Sequence, residues 1–74
     1  MPSLTEQNIR KQLGQKIKEY RNLSKLTQAE LSSKMQVTQT YLGHVEQGLK
    51  TPSLSFLIKV ATKLKIKISE LFVE

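Results

Sequence analysis

Residues 27–48, TQAELSSKMQVTQTYLGHVEQG, hold a small amphipathic pattern, a short break and a second small amphipathic pattern. Each half opens with a hydroxyl residue followed by glutamine, Thr27-Gln28 and Thr38-Gln39. Thr27-Gln28-Ala29-Glu30 is a capping box, in which Thr27 accepts from the N–H of Glu30 and Glu30 reaches back. Leu31 and Met35 follow as a narrow apolar stripe, predicting a helix over roughly 28–35. Gln36-Val37 is the break. Thr38 caps the next helix, Leu42 and Val45 are apolar at i and i+3, and Gly48 stops it at the expected C-terminal position.

The rest of the chain reads as helical too. Ile9, Leu13, Ile17 and Tyr20 recur at spacings of four, four and three, which is one face of a helix over roughly 5–23. Ser3 with Glu6 reads as the capping box that starts it. Gly14, inside that helix, costs about 1 kcal/mol relative to Ala and suggests a close approach of a neighbouring helix. Pro52-Ser53 announces a further helix with apolar positions Leu54, Leu57, Ile58, Ala61 and Leu64, while Phe56 and Val60 fall to one side. Lys65-Ile66-Lys67-Ile68 alternates like a strand but has no partner strand, so it reads as a loop anchored by buried residues. Ser69 to Val73 make a last short helical turn. The expected fold is all-α: a compact single domain over 1–74, a bundle of about five short helices.

Composition narrows the function. The chain has 74 residues, 12 basic against 6 acidic, for a formal charge of +6. That balance points to an anionic partner, with nucleic acid the first candidate and a merely soluble basic surface the other reading. Yet residues 36–49 contain no Lys or Arg. The absence of cysteine excludes disulfides, thiolate metal sites and a cysteine nucleophile. The start, MPSLTEQNIRK, lacks the apolar core of a signal peptide, and no apolar run approaches the roughly 20 residues of a membrane span. A cytoplasmic protein is therefore expected, nucleoid-associated when bound to DNA, with no membrane partner and no cofactor. One histidine, no Gly-rich phosphate loop and no convergent carboxylate pair argue against an enzyme. The single His44, with Glu46 on another helical face, is not a metal site.

Two short helices joined by a tight break have the proportions of a helix-turn-helix. Leu31, Met35, Val37, Leu42 and Val45 must then point inward, and the position after Leu31 must be small; it is Ser32. A plain helical hairpin satisfies the same apolar positions.

The segments LGQKIKEYR, LTQAELSSKMQVTQTYLGHVEQG, PSLSFLIKVATKL and ISELF, in this order from Leu13 to Phe72, resemble the phage Cro/repressor-like helix-turn-helix family, the XRE-type regulators. The resemblance implies a lambda-repressor-like DNA-binding domain with its helix-turn-helix at 27–48. TYLGHVEQG is also similar to the small controller proteins of restriction–modification systems. In phage repressors of this family a glutamine opens each of the two helices, and Gln28 and Gln39 match those positions. The resemblance implies that Gln39 bonds adenine N6 and N7 in the major groove, and that Gln28 braces it and touches a phosphate. A neutral amide suits adenine, which offers one donor and one acceptor; a lysine cannot satisfy both. Two ordinary solvated glutamines are the bland alternative.

Thr40, Gly43 and His44 should face the same groove, Thr40 toward a thymine methyl and Gly43 allowing close backbone approach. Tyr41 reads either as a phosphate or sugar contact or as a half-buried structural ring, and His44 either as a donor to base or phosphate or as an idle surface group. Phosphates should meet the N–H groups after Thr27 and around Ser53, and the loop residues Lys50 and Thr51, with Thr38 also counted among the DNA-binding residues. Arg10, Lys11, Lys59 and Lys63 read as solvated surface. The resemblance pairs Arg21 with Glu46 as a structural ion pair.

Three positions depart from the family pattern. Gln36 replaces the usual turn glycine, where a left-handed backbone would cost roughly 1–2 kcal/mol. Lys65 replaces a common glycine, and Lys67 replaces the usual cap before the last helix, which leaves the C-terminal turn poorly defined. That turn, over 68–74, often builds the dimer, so Leu71, Phe72 and Val73 are the expected homodimer contacts; simple closure of the core is their other reading. The function implied is a sequence-specific regulator of transcription that binds double-stranded DNA as a homodimer. The alternative is a protein-interaction module, such as an antitoxin or a subunit bound to a protein partner.

Overall fold

The structure is a computed structural model that describes residues 5–72. Four α-helices run in order: α1 (Glu6–Leu23), α2 (Gln28–Met35), α3 (Gln39–Glu46) and α4 (Leu54–Leu64). A 3-10 helix, Ile68–Phe72, follows. No strand occurs among the described residues, and no described helix is long and apolar enough to cross a membrane. The Cα radius of gyration, 11.3 Å, equals the roughly 11 Å expected of a fully compact chain of this length. Five short elements therefore share one core.

Side-chain caps start each α-helix. Thr27, Thr38 and Ser53 accept from the N–H three residues on, at 3.0–3.1 Å. At α2 the box is complete, because the Thr27 N–H also donates to Glu30 Oε1 at 2.8 Å. That bond, followed by the one with the Thr27 side chain, holds the Glu30 carboxyl below its ordinary pKa. The cap is therefore intact above the unfolded carboxylate range and weakens as pH falls through the lowered value. At α1 the expectation needs correction. Ser3 lies outside the described residues, and the N-cap is Thr5, which accepts from Asn8 N at 3.1 Å. The Glu6 carboxylate takes the Arg10 guanidinium at 3.2 Å and the Thr51 hydroxyl at 2.9 Å.

The break after α2 is a left-handed turn at Gln36 (φ 58°), with Val37 N bonding back to Ser32 O at 3.0 Å. Lys65 closes α4 the same way (φ 59°), with Ile66 N donating to Ala61 O at 3.0 Å. Both positions keep the glycine-like geometry without glycine. The C-terminal turn is better defined than its missing cap suggests: the Glu70 carboxylate accepts from Lys67 N at 3.2 Å. Ile66 and Ile68 pack partly buried against the core, as an anchored loop requires.

The core gathers Leu13 and Ile17 of α1, Leu31 and Met35 of α2, Leu42 and Val45 of α3, Phe56, Leu57, Val60 and Leu64 of α4, and Leu71. The buried face of α4 is thus rotated from the one expected. Phe56 and Val60 point inward, whereas Leu54 is 66% and Ile58 50% exposed. The reason is tertiary: the Phe56 ring meets Tyr41 of α3 edge to face, centroids 5.1 Å apart. Leu71 likewise corrects an expectation. It is fully buried in its own chain, under α1 and α4, and so is no dimer contact. Phe72 is 56% exposed, and Val73 lies outside the described residues.

Two contacts lock α1 to α3. A Cβ on Gly14 would run into the Val45 carbonyl oxygen and lie 2.7 Å from that of Glu46. About two helical turns further along α1, the buried Arg21 guanidinium grips the Glu46 carboxylate, Nε to Oε2 at 2.6 Å and Nη2 to Oε1 at 3.0 Å. The third donor, Nη1, holds the Leu26 carbonyl at 2.8 Å, fixing the α1–α2 connection.

Gly14→Ala should therefore destabilise by about 1–3 kcal/mol in urea unfolding, although Ala favours an ordinary helix interior by about 1 kcal/mol. A stabilised variant would refute the close approach. Glu46→Leu should cost about 3–5 kcal/mol by stranding Arg21, and adding Arg21→Met should restore most of that loss. Equal losses for the single and double variants would show that the pair's charge is not the source.

Candidate nucleic-acid interface

The exposed side of α3 is built from its first residues and every third or fourth thereafter. Gln39, Thr40, Gly43, His44 and Gln47 line one shallow cleft, closed along the α2 side by Gln28. The helix-turn-helix crossing places the first residue of α2 beside the middle of α3: a Cβ on Gly43 would lie 3.5 Å from Gln28 Oε1. Gly43 is thus the floor of the cleft. The absence of Lys and Arg on α3 leaves amides, a hydroxyl and an imidazole to face outward. Such groups match base edges, which carry mixed donors and acceptors, better than they match phosphate.

Gln28 Nε2 donates to Glu46 Oε1 at 2.9 Å, tying the cleft to the buried ion pair. Among the described residues, no hydrogen bond holds the Gln39 or Gln47 side chains, so both amides are available. Gln47 is a cleft residue that sequence reading missed, although the period that collects Thr40, Gly43 and His44 extends to it. His44 is half-buried at the cleft edge, and no group of three or more His, Cys, Asp or Glu among the described residues could hold a metal ion.

The other expected contact residues divide. Thr27 and Thr38 are exposed N-caps, each with its hydroxyl oxygen accepting a backbone N–H. Tyr41 is not in the cleft; its half-buried ring packs on Phe56. Lys50 is exposed beside α3, and Thr51, also exposed, gives its hydroxyl hydrogen to Glu6. Arg10 is not loose surface, since Nε donates to the Gly48 carbonyl at 3.3 Å and fixes this loop to α1. Gly48 itself needs φ +76°, and its Cα faces Lys11 so closely that a Cβ would meet that side chain's Cγ at 2.9 Å.

A family model for helix-turn-helix proteins (HTH_3) matches residues 17–71. The transcriptional regulator SinR of Bacillus subtilis is 38% identical over 63 residues, covering 84% of this chain and 57% of SinR. The immunity repressor of Bacillus phage phi105 is 42% identical over 57 residues, covering 77% of this chain and 40% of the repressor. The chain thus spans about half the length of these relatives. Among solved structures, the restriction–modification controller C.AhdI of Aeromonas hydrophila superposes with TM-score 0.82 at 35% identity, over 85% of this chain and 96% of C.AhdI. SinR in complex with DNA superposes with TM-score 0.78 at 35% identity, over 82% of this chain and 98% of that one. SinR in its complex with the SinI protein gives TM-score 0.79 at 36% identity, over 84% and 61%. With its helix-turn-helix and the following helix both inside the matched span, the chain belongs to the HTH_3, or XRE-type, helix-turn-helix family.

Proposed function

We propose that this chain is a sequence-specific, DNA-binding regulator of transcription that works as a homodimer on a near-palindromic operator. The observation that carries the reading is the uncharged cleft of α3, whose free Gln39 amide stands at the front of a helix-turn-helix. Set in the major groove, Gln39 presents one donor and one acceptor to adenine N6 and N7. Thr40 and His44 lie next along the same face, and Gly43 keeps the backbone close to the base edges. Lys50 and the N-terminal N–H groups of α2 and α4 supply phosphate contacts, which set register and carry no sequence information. The SinR–DNA structure and the phage repressor support this reading. No step of it calls on catalysis or a cofactor, and it places the protein in the cytoplasm, on the nucleoid when bound.

A helix of 8 residues touches too few bases to select one genomic site, which is the physical motive for a dimer. Two copies would set half-site centres about 10 base pairs apart, or a multiple. Among the described residues Leu23, Leu49, Leu54, Ile58 and Phe72 are the exposed large apolar side chains, and of these Phe72 lies in the C-terminal turn from which the dimer is expected. A second reading, a protein-interaction module such as an antitoxin or a partner-bound regulator subunit, draws support from the SinR–SinI complex. Stoichiometric capture of a protein without any DNA sequence preference would favour it.

Selection of duplexes from a random pool at near-physiological salt tests the main reading: a two-fold symmetric motif supports it, and an unenriched pool refutes it. On the selected site, Gln39→Ala should cost about 1–3 kcal/mol and relax one base pair. Lys50→Ala should weaken all sequences alike and lower the salt slope by about one. Equal losses on operator and random DNA for Gln39→Ala would remove it from base reading. Light scattering after size exclusion at micromolar concentration should give a dimer, free or on DNA; a strict monomer in both states would refute the dimer.

A further inference from the structure

The interior of the protein decides which way the Gln28 amide points. Glu46 is buried and ion-paired to Arg21, so its carboxylate can only accept. The Gln28 atom 2.9 Å from Glu46 Oε1 must therefore be the N–H end. The reverse orientation would bring an amide oxygen against a buried carboxylate oxygen, with no hydrogen between them. Gln28 Oε1 is thereby the end left over, 3.5 Å from where a Cβ on buried Gly43 would stand, in the cleft that Gln39 also lines. The amide is planar, so its second Nε2 hydrogen is fixed, and Oε1 accepts and cannot donate.

We propose that Gln28 reads a base directly, its Oε1 accepting from the exocyclic amino group of an adenine or cytosine over Gly43, and that buried Glu46 is the positioning residue that fixes this polarity. In the major groove only those two bases present an amino donor; guanine offers N7 and O6, and thymine O4, all acceptors. The inference rests on the DNA-reading function above. It assigns Gln28 to a base rather than to a phosphate or to bracing Gln39. It also gives the Arg21–Glu46 pair an effect on specificity. Gly43 contributes as absent bulk: a methyl there meets Gln28 only at ordinary contact distance, so the fold accepts alanine while the floor of the cleft does not.

The test is duplex selection and sequencing with the full chain and its Gln28→Ala, Gly43→Ala, Gln39→Ala and Glu46→Gln variants, each melted by circular dichroism. The wild type should require adenine or cytosine at one position per half-site, and Gln28→Ala should erase that preference, about tenfold or more, while leaving the Gln39 position intact. Gly43→Ala should melt like the wild type and lose preference at the same position. If Glu46→Gln folds, that position should admit guanine or thymine, because a neutral amide accepts either end of Gln28; if it does not fold, the Gln28 and Gly43 variants decide. Loss of the same base pair in Gln28→Ala and Gln39→Ala would mean bracing alone. Uniform weakening on every sequence, with the salt slope unchanged because the amide is neutral, would mean a phosphate contact. Either result overturns the proposal while the regulator reading stands, whereas a wild-type pool without any motif overturns both.

Discussion

The buried pair of Arg21 and Glu46 is the constraint on which the rest of the architecture depends. Its three guanidinium donors engage α3 and the α1–α2 connection at once, and the carboxylate in turn holds Gln28 at the start of α2. Three helices are thus referenced to one charged group. Burying such a pair brings little net stability compared with apolar packing, but its geometry is directional where apolar contact is not. A small aliphatic core would tolerate α3 rolling or sliding. The paired charges, with Gly14 pressed against the last carbonyls of α3, leave one position.

The helix ends carry the second constraint. Lys25, Gln36 and Lys65 all adopt left-handed backbone with φ near 59°, an arrangement that costs non-glycine residues roughly 1–2 kcal/mol. Each follows a helix, and each is succeeded by an N–H that returns to the last turn: Leu26 to Arg21, Val37 to Ser32 and Ile66 to Ala61. Those bonds satisfy orphan carbonyls and let Leu26, Val37 and Ile66 pack against the core. Glycine is a convenience at these sites; the hydrogen bonds and the apolar anchor after them enforce the turn.

Rigidity and recognition then separate cleanly by face. Glu6 and Arg10 of α1 tie down each other and the loop after α3, at Thr51 and Gly48. The exposed face of α3 keeps neutral polar groups with little internal bonding. A surface of that kind gains little from nonspecific attraction to phosphate, so what it binds depends on how its donors and acceptors match. Positive charge elsewhere provides attraction without selecting sequence.

Helix positions were legible in the sequence because their causes are local. A Thr or Ser with its N–H partner three residues on, followed by an apolar period, places α2, α3 and α4, and Gly48 marks the end of α3. The pairing of Gln28 with Gln39 on one surface followed from the helix-turn-helix pattern. What only the tertiary structure decided involves partners far apart in sequence. Periodicity allowed Leu54 and Ile58 to be core, but the Phe56 ring found Tyr41 and turned the helix. Leu71 was ambiguous between interface and core until α1 and α4 closed over it. Arg10 read as loose surface because its acceptor, the Gly48 carbonyl, is 38 residues away. The direction of the Gln28 amide is the sharpest case. The sequence supplies a side chain with two chemically opposite ends, and only a buried carboxylate from another helix chooses between them.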